Sequence, residues 1–154
     1  MALWQMILMR RCMDSLFIDT WGWLTLRDKD QKRHKETSML FYEHVSQKKS
    51  VYTSDYVLDE TFTLLFKRLP LVNALSSMDL LLKSLESNEF QLEWIFPERF
   101  HKVCDLRKRF QDKPGISFTD LTSIVVMQEL GIRNILTGDA HFSHIGFGFN
   151  IVPG

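Results

Sequence analysis

Apolar positions in this chain fall into short unbroken runs and into rows at helical spacing, and the two kinds alternate. Ser15-Leu16-Phe17-Ile18 is a continuous run ending at Asp19, the pattern of a strand covered on both faces. Thr20-Trp21-Gly22-Trp23-Leu24 is expected to turn away from it, and the dense charges of residues 28–35 to form a loop and a helix start. A helix is expected over 37–47, where Leu40, Phe41, His44 and Val45 recur at helical spacing. Ser50-Val51-Tyr52-Thr53 is a second short strand, and Ser54 is placed to cap the helix that follows. That helix carries one apolar row of Leu58, Phe62, Leu65 and Leu69 and another of Val57 and Leu64, with the carboxylate of Glu60 set on the apolar side.

Pro70 breaks this helix, because a proline has no N–H to give the turn and clashes with it. Residues 71–85 then make a Leu-rich helix, completing a helical hairpin. Phe90-Gln91-Leu92-Glu93-Trp94-Ile95 alternates as a third strand, Pro97 opens a basic helix over 98–111, and Lys113-Pro114-Gly115 ends it. Ser117 with Asp120 three residues later makes a capping box at the start of a further helix. Gly131 stops that helix, Asn134-Ile135-Leu136-Thr137 is the next strand, and Gly138-Asp139 ends it. The tail supplies a last edge strand through Phe147, Phe149, Ile151 and Val152.

Strands alternating with helices give a parallel sheet with right-handed crossovers, an α/β architecture of one domain with four to five strands flanked by helices. The chain has 154 residues, enough for one core and too few for two ordinary domains. Residues 1–12 are expected to be an extension, disordered or preceding the true start, before a domain over 13–154. The charges balance at 19 Lys and Arg against 19 Asp and Glu, so any nucleic-acid contact must be local. The two cysteines, Cys12 and Cys104, lack metal-ligand spacing and are expected to be reduced thiols of a cytoplasmic protein. No apolar stretch reaches the about 20 residues of a membrane span, and the start lacks the features of a signal peptide.

In a doubly wound sheet, ligands sit beyond the carboxyl ends of the strands, where the winding reverses. Asp19 and Asp139 are expected at that edge, with Asp120 and Glu60 near the starts of helices that begin there. Each also has a plainer explanation. Asp19 could begin a turn, Asp120 could stabilise a helix end, Asp139 could serve a turn, and Glu60 could pair with Lys67 or Arg68. Gathered together, four acids repel unless protonated or neutralised by a cation. Oxygen-only ligands select Mg²⁺ or Mn²⁺, and that combination suits hydrolysis of a phosphodiester. Lys32, Arg33, Arg107 and Arg109 are candidate contacts for nucleic-acid phosphates, or else parts of solvated faces. Trp21 and Trp23 are expected in the core or an interface, and the histidines lack the spacing of a zinc site.

Four segments together resemble the PIN-domain family and, within it, the VapC-type toxins of toxin–antitoxin pairs. They are Phe17-Ile18-Asp19-Thr20, Tyr56-Val57-Leu58-Asp59-Glu60, Ser117-Phe118-Thr119-Asp120 and Leu136-Thr137-Gly138-Asp139-Ala140-His141-Phe142. Trp21 departs from the pattern, in which a small hydroxyl residue is common at that place. The resemblance implies a Mg²⁺- or Mn²⁺-dependent endoribonuclease with Asp19, Glu60, Asp120 and Asp139 as its acidic cluster. Asp19 and Asp120 would be the principal metal ligands, Glu60 and Asp139 would complete the site directly or through water, and Thr137 would support it. It also implies a homodimer, inhibited by a small antitoxin that contacts the helical hairpin. The alternatives are a PIN-fold nucleic-acid-binding or scaffold protein that has lost catalysis, and a phosphoacceptor receiver, which lacks its expected lysine here.

Overall fold

The computed structural model describes residues 2–154, apart from the side chains of residues 10–13. Its centre is the run read above as a doubly covered strand. β1 (Leu16–Ile18) is fully buried at all three residues. It pairs in parallel with β2 (Val51–Ser54) on one side and β4 (Asn134–Leu136) on the other, and β3 (Gln91–Glu93) and β5 (Asn150–Val152) form the edges. The order β3-β2-β1-β4-β5 places the reversal of winding between β1 and β4. In that crevice the register sets Ile18 opposite Leu136, so the residues that follow the two strands emerge side by side.

The helices are α1 (Leu3–Met13), α2 (Thr20–Arg27), α3 (His34–Ser46), α4 (Asp55–Arg68), α5 (Leu71–Glu86), α6 (Pro97–Arg109), α7 (Phe118–Leu130) and α8 (His141–His144). The backbone of residues 3–13 is thus helical, with the described apolar side chains of Leu3, Trp4, Met6, Ile7, Leu8 and Met9 exposed. Met1 lies outside the described residues, as does the side chain of Cys12. Cys104 carries a free thiol. Among the described residues no helix is long and apolar enough to cross a membrane.

Several caps read from the sequence are in place. The Ser54 hydroxyl accepts from the Val57 amide at 3.2 Å. Ser117 and Asp120 form the reciprocal capping box, and Gly131 closes α7 at φ 67°, a left-handed turn that glycine adopts without penalty. Helix α5 begins directly after Pro70.

The main departure from expectation is α2. Residues 20–24 do not merely turn away; they form the first turns of a helix capped by Asp19. Local propensity gives little sign of it, since Thr, Trp and Gly are mediocre or poor helix formers. Burial supplies what propensity does not: Trp23 is 1% exposed, packs against Phe41 and Phe90, and donates from its indole nitrogen to Thr53 Oγ1 at 3.0 Å. Gly22 lets the helix approach the sheet. A Cβ there would stand 2.7 Å from both Ile18 Cγ2 and the Leu136 carbonyl oxygen. Gly22→Ala is therefore expected to destabilise the protein by about 1–3 kcal/mol, the usual cost of overpacking, as measured by chemical denaturation. A second departure is α8, a short helix after Asp139 that no apolar row announced.

Candidate active site

The acids come from four places on the chain. Asp19 follows β1 and caps α2, Glu60 lies in the second turn of α4, Asp120 sits in the first turn of α7, and Asp139 follows β4. All four elements end or begin at the carboxyl edge of the sheet. Like-charge repulsion links Asp19 with Asp120 and Asp139, and Asp120 with Asp139 and Glu60. The sequence-predicted acids therefore share one electrostatic neighbourhood.

Asp19 is the buried member, at 7% exposure. Its Oδ1 accepts from the Gly22 amide at 3.0 Å, and its Oδ2 accepts a short hydrogen bond from the Thr137 hydroxyl. Burial dominates its ionisation, pushing the pKa up to about 7; the bonds from Thr137 and Gly22 oppose that rise, and the charges of Asp120 and Asp139 add to it. Asp120 is also raised, first by burial, with its bonds to Ser117 pulling the other way and Asp139 and Glu60 pushing it further up.

Thr137 joins the first acid to the last. Its hydroxyl donates a hydrogen bond to Asp19 and accepts one from the Asp139 amide at 3.0 Å, so one side chain sets both positions. Thr137→Val is expected to cost about 1–3 kcal/mol, because the buried Asp19 carboxyl and the half-buried Asp139 amide lose their partner. It should also raise the Asp19 pKa further, since the hydroxyl was holding it down. Thermal melts, together with the pH profile of any activity, read both effects.

Two positioning contacts were not anticipated. Thr20 Oγ1 donates to Glu60 Oε2 at 2.7 Å, tying the second acid to the residue beside the first. The partner of Glu60 is thus Thr20, not Lys67 or Arg68. His141 donates its amide to Asp139 Oδ1 at 2.8 Å and brings its Nδ1 within 3.0 Å of the same oxygen. The signal for His141 was the Asp-x-His spacing, since an Asp side chain readily accepts from the amide two residues on. Trp21 covers the neighbouring backbone, where a Cβ on Gly138 would lie 2.6 Å from the indole.

The basic candidates divide. Arg107 donates to the carbonyls of Ile116, Phe110 and Lys113, and so staples the loop that leads to Asp120. Arg33 pairs with Glu36 at 3.0 Å and donates to the Pro153 carbonyl at 2.9 Å. Arg109 lies over the rings of Phe110 and Phe147, and Lys32 is exposed.

The donor set fits a hard divalent cation. It offers oxygen alone, and burial together with the neighbouring carboxylates raises the pKa of Asp19 and of Asp120, an unfavourable environment for negative charge that a cation would relieve. Among the described residues no three acidic, imidazole or thiol groups are already drawn together tightly enough to hold an ion.

The sequence profile of the PIN domain matches residues 16–148. The chain belongs to the PIN domain family. Within that family it is similar to the VapC-type toxins. It is 30% identical over 138 residues to the 23S rRNA-specific endonuclease VapC20 of Mycobacterium tuberculosis, covering 86% of this chain and 95% of that one. The crystal structure of M. tuberculosis VapC20, described as a sarcin–ricin loop cleaving toxin, superposes with a TM-score of 0.73 at 31% identity and the same coverage. VapBC2 from Rickettsia felis, solved bound to a DNA fragment from its promoter, matches at a TM-score of 0.64 and 15% identity over 89% of this chain and 96% of that one, a likeness of fold alone. The α/β class and the parallel sheet expected from the sequence are those of this family.

Proposed function

We propose that this chain is a VapC-type endoribonuclease, the toxin of a toxin–antitoxin pair, which hydrolyses RNA phosphodiester bonds with Mg²⁺ or Mn²⁺. The observation that carries the reading is the Thr137 hydroxyl bridging Asp19 and Asp139 at the point where the sheet reverses its winding, with Asp120 and Glu60 in electrostatic reach.

In this reading Asp19 and Asp120 bind the cation, and Glu60 and Asp139 complete the site directly or through water. Bound there, Mg²⁺ or Mn²⁺ would supply an activated water and charge neutralisation at the phosphate. The chain's own contribution is positional. Gly22 and Thr137 fix both oxygens of Asp19, Ser117 fixes Asp120, Thr20 fixes Glu60, and His141 fixes Asp139.

The substrate favoured by the similarity to VapC20 is 23S rRNA, at the sarcin–ricin loop. Of the four basic candidates, Lys32 and Arg109 are retained as phosphate contacts, since Arg33 and Arg107 are engaged by the chain's own backbone. A homodimer, a small antitoxin seated against α4 and α5, and a cytoplasmic setting complete the proposal, with residues 13–154 as the nuclease domain.

The test is incubation of the purified protein with a mixed RNA pool including 23S rRNA, with Mg²⁺, with Mn²⁺ and with EDTA. Cleavage at a defined position that EDTA abolishes is the expected result. Binding without cleavage under all three conditions would favour the catalytically inactive scaffold.

A further inference from the structure

Beside the acid cluster lies a cavity of about 230 Å³ lined by Lys113, Gly115, Ile116, His141, His144 and Ile145. Its floor is apolar, made by the buried side chains of Ile116 and Ile145. Its rim is different, with two exposed imidazoles and a lysine ammonium. His141 belongs to both the cavity and the active site. Its Nδ1 stands 3.0 Å from Asp139 Oδ1, and its ring borders Gly115, where a Cβ would meet Cε1 at 3.4 Å in ordinary van der Waals contact.

The size and lining restrict the occupant. The volume, about 230 Å³, is below the about 300–1,000 Å³ of pockets that enclose drug-sized ligands, so it has room for a single small group. An apolar floor with imidazole walls suits a heteroaromatic ring, which stacks on such faces. The Lys113 ammonium at the rim suits a group carried on a polyanion. Lys113 also pairs with Asp112 at 3.1 Å, but that carboxylate is well exposed, so the ammonium remains available to a phosphate at modest cost.

We propose that this pocket takes one unpaired base of the RNA, next to the phosphodiester that the acids would hold. The proposal rests on the ribonuclease reading and adds a specificity element to it. One nucleotide beside the cut is recognised by insertion of its base, through an element distinct from the carboxylates. An aromatic side chain of a protein partner is the competing occupant.

The test uses binding, so that it does not depend on turnover. A fluorescent RNA carrying the sarcin–ricin loop sequence is titrated with full-length Asp19→Asn protein, followed by the same RNA with an abasic nucleotide at each successive position. Loss of one base is expected to weaken binding on the order of tenfold, the size of a lost stacking contact. Gly115→Leu, which fills the mouth from an exposed position, and His144→Ala, which removes one wall, are expected to weaken the intact RNA by a similar factor. Either change should also erase the penalty at that single abasic position, the signature of a direct contact. A flat abasic scan would overturn the proposal, as would variants that bind intact RNA normally, which would leave the pocket to a protein partner. Failure of the natural protein to cleave RNA, with the abasic pattern intact, would instead overturn the nuclease reading and leave the pocket standing.

Discussion

Asp19→Asn is expected to lower RNA cleavage by about 10²–10⁴-fold, the range for loss of single groups that act on a transition state, while making the metal-free protein more stable. The two effects have one cause. Asp19 is buried, and burial lifts its pKa to about 7, so at neutral pH the folded chain strains to keep it ionised. Asparagine has the same shape and no charge. Its Oδ1 still accepts from Gly22, and the Thr137 hydroxyl can rotate to meet the amide. The substitution therefore removes an unfavourable charge from the metal-free site and, with it, the charge that would hold the cation. Cleavage rates on a mapped RNA, set beside thermal melts in EDTA, measure both. A parallel fall in activity and stability would mark Asp19 as a structural residue only.

The second large effect is on stability as a function of pH. A carboxyl whose folded pKa lies above its unfolded value binds its proton more tightly in the folded state. Its contribution is fully present below pH 3.8 and is lost as pH rises through about 7. The interval corresponds to about 4 kcal/mol at 1.36 kcal/mol per pH unit, a large share of the 5–15 kcal/mol that holds typical domains together. Asp120 acts in the same direction, its pKa also being raised by burial. Surface carboxylates act in the opposite one, because Glu129, Glu36, Asp28 and Asp112 are lowered by hydrogen bonds, though solvent screens such exposed groups.

The natural protein in EDTA should thus lose stability between about pH 4 and 7 relative to Asp19→Asn, and Mn²⁺ should restore it above pH 7. Denaturation at a series of pH values on both proteins gives the difference directly. Curves that run parallel across that range would show that Asp19 ionises as freely in the folded protein as in the unfolded one.

Much of this was legible in the sequence, for a physical reason. The unbroken apolar run at Leu16, Phe17 and Ile18 fits a strand covered on both faces, and a covered parallel strand brings the ligand edge with it. Once that edge was fixed, the acids at 19 and 139 followed from position, and the capping box of Ser117 and Asp120 marked where α7 begins. Helix α2 was not legible, because nothing in Thr-Trp-Gly-Trp favours a helix locally. It forms because Trp23 finds Phe41, Phe90 and Thr53 across the fold, contacts that no short window contains. The same holds for Thr20 with Glu60, forty residues apart, and for the commitments of Arg33 and Arg107. A guanidinium on a helix looks alike in sequence whether it faces solvent or staples a loop. His141 was within reach, since its contact with Asp139 is local, made to a carboxylate two residues away.

The measurement that bears most directly on convergence of distant acids on one cation is Mn²⁺ binding to purified protein at pH 7.5, followed by electron paramagnetic resonance of the free ion. Saturable binding by the natural protein, strongly weakened by Asp19→Asn and by Asp120→Asn in variants that remain folded, is the predicted result. Equal binding by all three proteins, or none by the folded natural chain, would contradict it.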